Sequence, residues 1–205
     1  KAERGVILCA GGFVMNEDML RRYAPFLLKG NAPTGNPNDT GAGILMGIGA
    51  GGAAINMHEG FISIPYYPPA TLTRGIFVNS NGQRYINEDC YHGRVGAFSL
   101  RQPGERLYLV FSAEDFSTYQ KFSYLNADIA GTGETIEELE GELDLPKGSL
   151  VHTVEFYNEH AARGEDPLFH KTSEWLAPLE APYAALEERI RSILGDGSPE
   201  AREES

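Results

Sequence analysis

The sequence predicts an α+β fold, and three observations carry that expectation. Short apolar runs (GVILCA at 5–10, RGIFV at 74–78, LYLVF at 107–111) are closed by turn-forming residues, as buried strands are. Two later segments, from Thr135 and from Ser149, space their apolar residues with a helical period instead. The 24 glycines among 205 residues call for many turns and close backbone passages. Mixed short strands and helices are therefore expected from about Phe61 to Ala181, preceded by a partial α/β layer over residues 1–60.

In chain order, residues 5–10 end at Gly11-Gly12 and read as a fully buried strand of an α/β sheet. Asn16 is placed to cap a helix over Glu17–Tyr23, with Glu17 and Asp18 at its positive end. Residues 30–43 (GNAPTGNPNDTGAG) are a long loop of turn formers. Ile44–Met57 suits a helix packed tightly against a sheet or ligand, although Gly47, Gly49, Gly51 and Gly52 weaken it. FISIPYYPP at 61–69 is extended, and RGIFV and QRYIN flank Asn79–Gly82, so 74–87 reads as a hairpin.

Leu107–Phe111 is the next strand, and Thr135 with Glu138 forms a capping box at the head of a helix. Another helix begins at Ser149 and closes near Arg163, with Gly164 as its cap. APYAAL after Pro178 is a strand, Glu187–Leu194 is helical, and residues 182–205 as a whole read as an acidic helix and tail.

Charge narrows the function. Lys and Arg number 17 against 29 Asp and Glu, a net −12, with a pI near 4.8. Such a surface repels phosphate backbones, which excludes nucleic acid as a partner. No window approaches the ~18 apolar residues of a membrane span. KAERGVILCAGGF lacks the long apolar region of a signal peptide, and a start at Lys1 points to a piece of something longer. Cys9 and Cys90 lie far apart without CxxC or Cys/His spacing, which speaks against a metal site and for reduced thiols in a cytoplasmic protein.

The chemistry-bearing residues leave alternatives open. Gly41 and Gly43 before an apolar helix could aim backbone N–H groups at a phosphate, or form a plain turn. No GxGxxG follows any strand. The densest polar cluster is RYINEDCYHGR at 84–94, where Tyr91, His92 and Arg94 are credible proton donors. The bland alternative is a surface loop whose charges pair internally, such as Arg84 with Glu88. His152 and His160 lie eight apart on one helix and read as ordinary surface or core histidines. Ser112 and Ser123 have no nucleophile-elbow context.

The order of segments adds more. GVILCAGGFVMNEDMLRRYAP, DTGAGILMGIGAGGAA, RGIFVNSNGQRYINED and LVHTVEFYNEHAARGEDPLFHK resemble, in sequence order, passages of the flavoprotein family that holds fumarate reductases and 3-ketosteroid dehydrogenases. The resemblance runs over roughly residues 4–186. YYPPATLTRGIFVN and NEDCYHGRVG look closer to the steroid branch, because fumarate reductases carry Thr-Thr-Arg-Asp where this chain has Asp89-Cys90-Tyr91-His92.

The resemblance implies residues 1–60 as part of the FAD-binding domain, 61–181 as the substrate-capping domain and 182–205 as a terminal helix and tail. It implies chemistry at a carbon–carbon bond beside a ketone, with hydride exchange between flavin N5 and one carbon of that bond and Tyr91, His92 or Arg94 handling the proton at the other. Gly11, Gly12, Gly41, Gly43, Asn87 and Glu88 match positions near the flavin; the family's Asp between the last two glycines is Ala42 here. The substrate it implies is a 3-ketosteroid, and Phe61, Tyr66, Tyr67, Phe98, Phe111 and Phe116 are aromatic residues that suit one. A small unsaturated acid is the alternative substrate, and a non-catalytic binding protein derived from the cap is the alternative class. The family's glycine fingerprint is missing, so FAD is expected to be held only with the missing flavin domain, and a self-interface or a separate flavin-domain chain is expected to cover the exposed face.

Overall fold

The computed structural model describes residues 5–29, 35–60, 70–104, 106–118 and 129–189. These fall into two compact units, the first ending near Phe61 and the second beginning at Ile62. The extended segment expected at 61–69, with Phe61, Tyr66 and Tyr67, lies outside the described residues.

In the first unit, α1 spans Glu17–Tyr23, and the Asn16 side chain accepts a hydrogen bond from Met19 N, as the capping pattern predicts. A 3-10 turn follows over Pro25–Lys29. α2 covers Ala42–Gly49, shorter than the Ile44–Met57 expectation, and ends where Gly51 turns to a φ of +91°. Residues 5–10 join no sheet, and Val6 and Ile7 are 76% and 88% exposed. This corrects the buried-strand expectation. Such a run is buried only with a strand beside it and cover on both faces, and none of the described residues of this unit pairs with it.

The second unit is built on a four-stranded antiparallel sheet: β1 (Ile76–Val78), β2 (Arg106–Ser112), β3 (Ile129–Gly133) and β4 (Tyr183–Arg189), in the order β1-β2-β4-β3. The helices are α3 (His92–Ser99), α4 (Ile136–Glu142) and α5 (Ser149–Ala161). Pairing of Ile76 with Val110, Val78 with Tyr108 and Val110 with Ala185 puts those residues on one face. There they meet Leu139, Leu143, Leu150, Val154 and Tyr157 of α4, α5 and the turn between. On the opposite face Phe77, Leu107, Leu109 and Leu186 are buried too. A strand covered on both sides has no polar face to show, which is why LYLVF is continuously apolar. Each fully buried side chain of this kind contributes roughly 1.5–3 kcal/mol.

Helix boundaries follow local chemistry. Both halves of the Thr135–Glu138 capping box are formed, and Gly164 takes the predicted positive φ, +75°. Two other expectations are corrected. Between RGIFV and QRYIN only a single bridge forms, Val78 to Arg84, because Asn79 Oδ1 accepts from the amides of Asn81 and Gln83 and closes a tight turn. The true partner of β1 is β2. Glu187–Arg189, expected to be helical, extends β4, with Arg106 Nε donating to Glu187 at 2.7 Å. Residues 190–205 lie outside the described residues.

Candidate functional site

The segment from Arg84 to Arg94 leaves the β1 turn, crosses the second unit and enters α3. Its first half is locked by charge. Arg84 donates from Nε and Nη2 to the two oxygens of Glu88, at 2.9 and 2.7 Å, and from Nη1 to Asp166 Oδ1 at 2.9 Å. Lys171 Nζ stands 3.1 Å from Glu88 Oε2 and donates to the carbonyl oxygens of Gly75 (2.7 Å) and Arg74 (3.1 Å). The Arg84 guanidinium lies over the rings of Tyr157 and Phe169, 4.9 and 5.0 Å from their centroids. None of these four charged side chains is more than 4% exposed.

Two cations and two carboxylates balance in one dry cluster. Removing one member leaves a buried charge unpaired, the costly case. The shifts follow from the setting. Burial drives the Lys171 ammonium below its usual range, with Glu88 pulling the other way. Burial, aided by the Glu88 charge, raises the Tyr157 phenol. Burial alone would raise Asp166, yet Arg84 and the amides of Lys171 and Phe169 outweigh it and hold that carboxyl low. Asp89 is likewise held low against its burial, by the Thr172 amide at 2.8 Å and by Asn87 Nδ2 at 2.9 Å.

Beyond this lock the segment opens to solvent. Tyr91 is the N-cap residue of α3 and is 64% exposed. His92 is the first residue of α3, and its side chain lies outside the description. Arg94 is exposed, its guanidinium 5.6 Å from the Phe98 ring centroid, and its amide donates to the Tyr91 carbonyl at 2.8 Å. Tyr91 and Arg94 are thus brought together in the first turn of a helix. Cys90 is a poor nucleophile here, since burial first, then Asp89 and Glu88, push its thiol up to about 11 despite Arg94.

Asn87 and Glu88 separate. Asn87 orients Asp89, whereas Glu88 is withdrawn, its oxygens accepting from Phe77 N, Arg84 and Lys171. Phe111 is fully buried and stacks on Phe116, centroids 5.9 Å apart, so its surface goes to the core.

In the first unit the four glycines do converge. Gly41 N donates to Gly12 O at 2.9 Å, and Gly11 and Gly41 take φ of +71° and +77°. A Cβ on Gly11 would meet Asp39 Oδ1 at 2.1 Å, and one on Gly43 would meet the Ala10 Cβ at 2.6 Å. The chain's own packing requires both glycines. Beside them lies a cavity of about 380 Å³, lined only by glycines and apolar side chains such as Leu8, Ile44 and Ile48. A flat apolar ring fits that lining. A diphosphate finds no cation or polar side chain there. Among the described residues no His/Cys/Asp/Glu group could hold a metal ion, and no helix is long and apolar enough to cross a membrane.

Reading the sequence missed Asp166 and Lys171. Asp166 meets Arg84 across 82 residues, so no spacing rule connects them. Their one signal was the stretch GEDPLFHK within the resemblance, which assigned them no role.

Comparison with known proteins supplies the wider setting. A family model described as an FAD binding domain matches residues 1–192. A fumarate reductase (cytochrome) of Shewanella frigidimarina is 28% identical over 195 residues, which cover 89% of this chain and 33% of that protein. A 3-oxosteroid 1-dehydrogenase of Mycobacterium tuberculosis is also 28% identical, covering 83% of this chain and 35% of its own. Among solved structures, a 3-ketosteroid-Δ4-(5α)-dehydrogenase of Rhodococcus jostii RHA1, in complex with 4-androstene-3,17-dione, is 36% identical with a TM-score of 0.81. That match covers 94% of this chain and 40% of the other. The chain spans about a third of the length of these curated relatives.

Proposed function

The chain belongs to the FAD-binding-domain family, whose relatives here include 3-ketosteroid dehydrogenases and fumarate reductases, and from that premise we propose that it carries the substrate-capping part of an FAD-dependent dehydrogenase acting on a 3-ketosteroid. The observation that carries this reading is the likeness to the Rhodococcus enzyme, at 36% identity over 94% of the chain, against 28% for the fumarate reductase. FAD, when bound, supplies hydride exchange at the far carbon of the carbon–carbon bond next to the ketone.

This chain's residues handle the proton. Tyr91 delivers it to, or removes it from, the neighbouring ring carbon, and its 64% exposure supports access to a ligand. Arg94 lies in the same helical turn, and His92 is the second candidate for the proton. The Arg84–Glu88–Lys171 lock holds the backbone that leads into Tyr91, so Glu88 acts by positioning and Asn87 by orienting Asp89. Gly11, Gly12, Gly41 and Gly43 build a turn beside an apolar cavity that suits a flat ring. The same lining offers no anchor for a diphosphate, so the remaining flavin-domain contacts come from elsewhere in the complete protein.

The test is steroid dehydrogenation by the complete flavoprotein. Tyr91→Phe is expected to lower kcat by roughly 10²–10⁴-fold with little change in KM. Reduction of fumarate without steroid turnover would replace this reading with the small-acid one. FAD titrated into the purified chain alone should show no saturable change in fluorescence, and tight one-to-one binding would overturn the view of an incomplete flavin site.

A further inference from the structure

A second cavity, of about 430 Å³, lies in the second unit between α5, the turn at Asn79–Tyr85 and the loop at 165–168. It is separate from the solvent-exposed Tyr91 and Arg94. Four large hydrophobic residues of the described second unit are exposed: Tyr91, Ile129, Phe156 and Leu168. Phe156 and Leu168, 40% and 59% exposed, both line this cavity. Exposed apolar side chains gathered on a concave site mark a place where something apolar is received.

Polar bookkeeping decides what that is. Several donors in the wall are already committed. Asn79 Nδ2 donates to Gln102 Oε1 and Gln102 Nε2 to the Phe98 carbonyl. The Thr153 hydroxyl donates to Gly82 O at 2.6 Å. The Arg84 charge is met by Glu88 and Asp166 at 2.7 and 2.9 Å.

Beside the exposed Gln83 amide, the wall offers acceptors. His160 Nδ1 lies 2.9 Å from the Phe156 carbonyl. A carbonyl only accepts, so Nδ1 carries the hydrogen and Nε2 of the neutral ring keeps its lone pair. Glu165 adds an exposed carboxylate. The His160 ring packs against Phe156, centroids 4.3 Å apart, and extends the aromatic surface. His152 at the rim faces Glu155 at 3.9 Å. A net charge of −12 draws cations to the whole surface.

The geometry points to a binding site in this cavity for a small organic cation, an ammonium carried on a flat apolar body. The body covers Phe156 and Leu168, and the ammonium is received by the face of Phe156, Glu165 and His160 Nε2. The site is independent of the dehydrogenase reading and uses neither Tyr91, His92 nor Arg94, although Arg84 of the lock lines its wall.

The test is titration of the purified chain with 2-phenylethylammonium, followed by calorimetry and amide NMR, with 2-phenylethanol and 3-phenylpropanoate as uncharged and anionic analogues. The ammonium should bind one-to-one, tighter than the alcohol, with the carboxylate weakest and shifts confined to 79–85, 102, 152–160 and 165–168. Phe156→Ala should weaken binding about tenfold, and Glu165→Gln about threefold. Both side chains stand partly in solvent, so both variants keep the fold. No saturable binding, a carboxylate bound as tightly as the ammonium, shifts centred elsewhere, or an unchanged affinity in both variants would each overturn the assignment.

Discussion

GVILCA in the first unit and LYLVF in the second are runs of nearly the same character, and they meet opposite fates. Leu107 through Phe111 are at most 1% exposed, paired by β1 and β4 and covered on both faces. Val6 and Ile7 stand mostly in solvent, with Leu45, Met46 and Ile55 also more than half exposed. The second unit even buries charged side chains such as Arg84, Glu88, Asp166 and Lys171, while the first leaves many of its hydrophobic ones out. Burial is a property of the neighbours that a segment acquires, and composition supplies only the willingness.

The largest effect that would break this contrast lies in the buried ion cluster. Glu88→Ala leaves Arg84 and Lys171 short of a partner and should destabilise the second unit by about 3–5 kcal/mol in urea unfolding. A loss below about 1 kcal/mol would show that water already reaches the cluster. Leu109→Ala should cost about 2–5 kcal/mol, whereas Ile7→Ala, taken from a side chain 88% exposed, should leave the midpoint where it is. Equal losses at the two positions would erase the contrast.

Acid sharpens it further. Asp166 and Asp89 are held below the ordinary carboxylate value in the folded state. Their contribution is complete above the unfolded value of about 3.9 and is lost as pH falls through the lower folded values. Urea midpoints of the second unit, measured from pH 6 downward, should therefore drop below about pH 4, and Asp166→Asn should flatten that drop. A midpoint independent of pH over this range would contradict the assigned directions.

Smaller effects should not tell the units apart. Thr135→Ala and Asn16→Ala each remove an N-cap and should each cost about 1 kcal/mol, because a cap acts on its own helix whatever the surroundings. Glu17→Ala, which removes an exposed partner of Arg21, should change stability by about 0.5 kcal/mol or less.

Several features were legible because their causes are local. The Asn16 and Thr135 side chains each accept from an amide only three residues away, so the caps could be read directly. Gly164 was legible because a helix end asks for a left-handed residue. Arg84 with Glu88 was legible as a pair four residues apart, but its burial was not, since Asp166 and Lys171 arrive from more than eighty residues downstream. Glu187–Arg189 looked helical by composition and became strand because β2 offered a ladder and Arg106 a counter-charge. Gly11, Gly12, Gly41 and Gly43 were legible only as turn formers; their convergence, packed against Asp39, Met19 and Ala10, was not.

By itself, then, the sequence determined the α+β class, the caps, the strand at 107–111 and, through its ordered motifs, the flavoprotein family. Those signals are carried within one element or by similarity along the chain. The tertiary structure decided that 5–10 stays open, that Glu88 is a buried anchor and that Tyr91 stands exposed at the head of α3. It also decided that Phe156, His160, Glu165 and Leu168 line one cavity. Each of these depends on which distant segments come together to exclude water or satisfy a charge, and no local spacing records that.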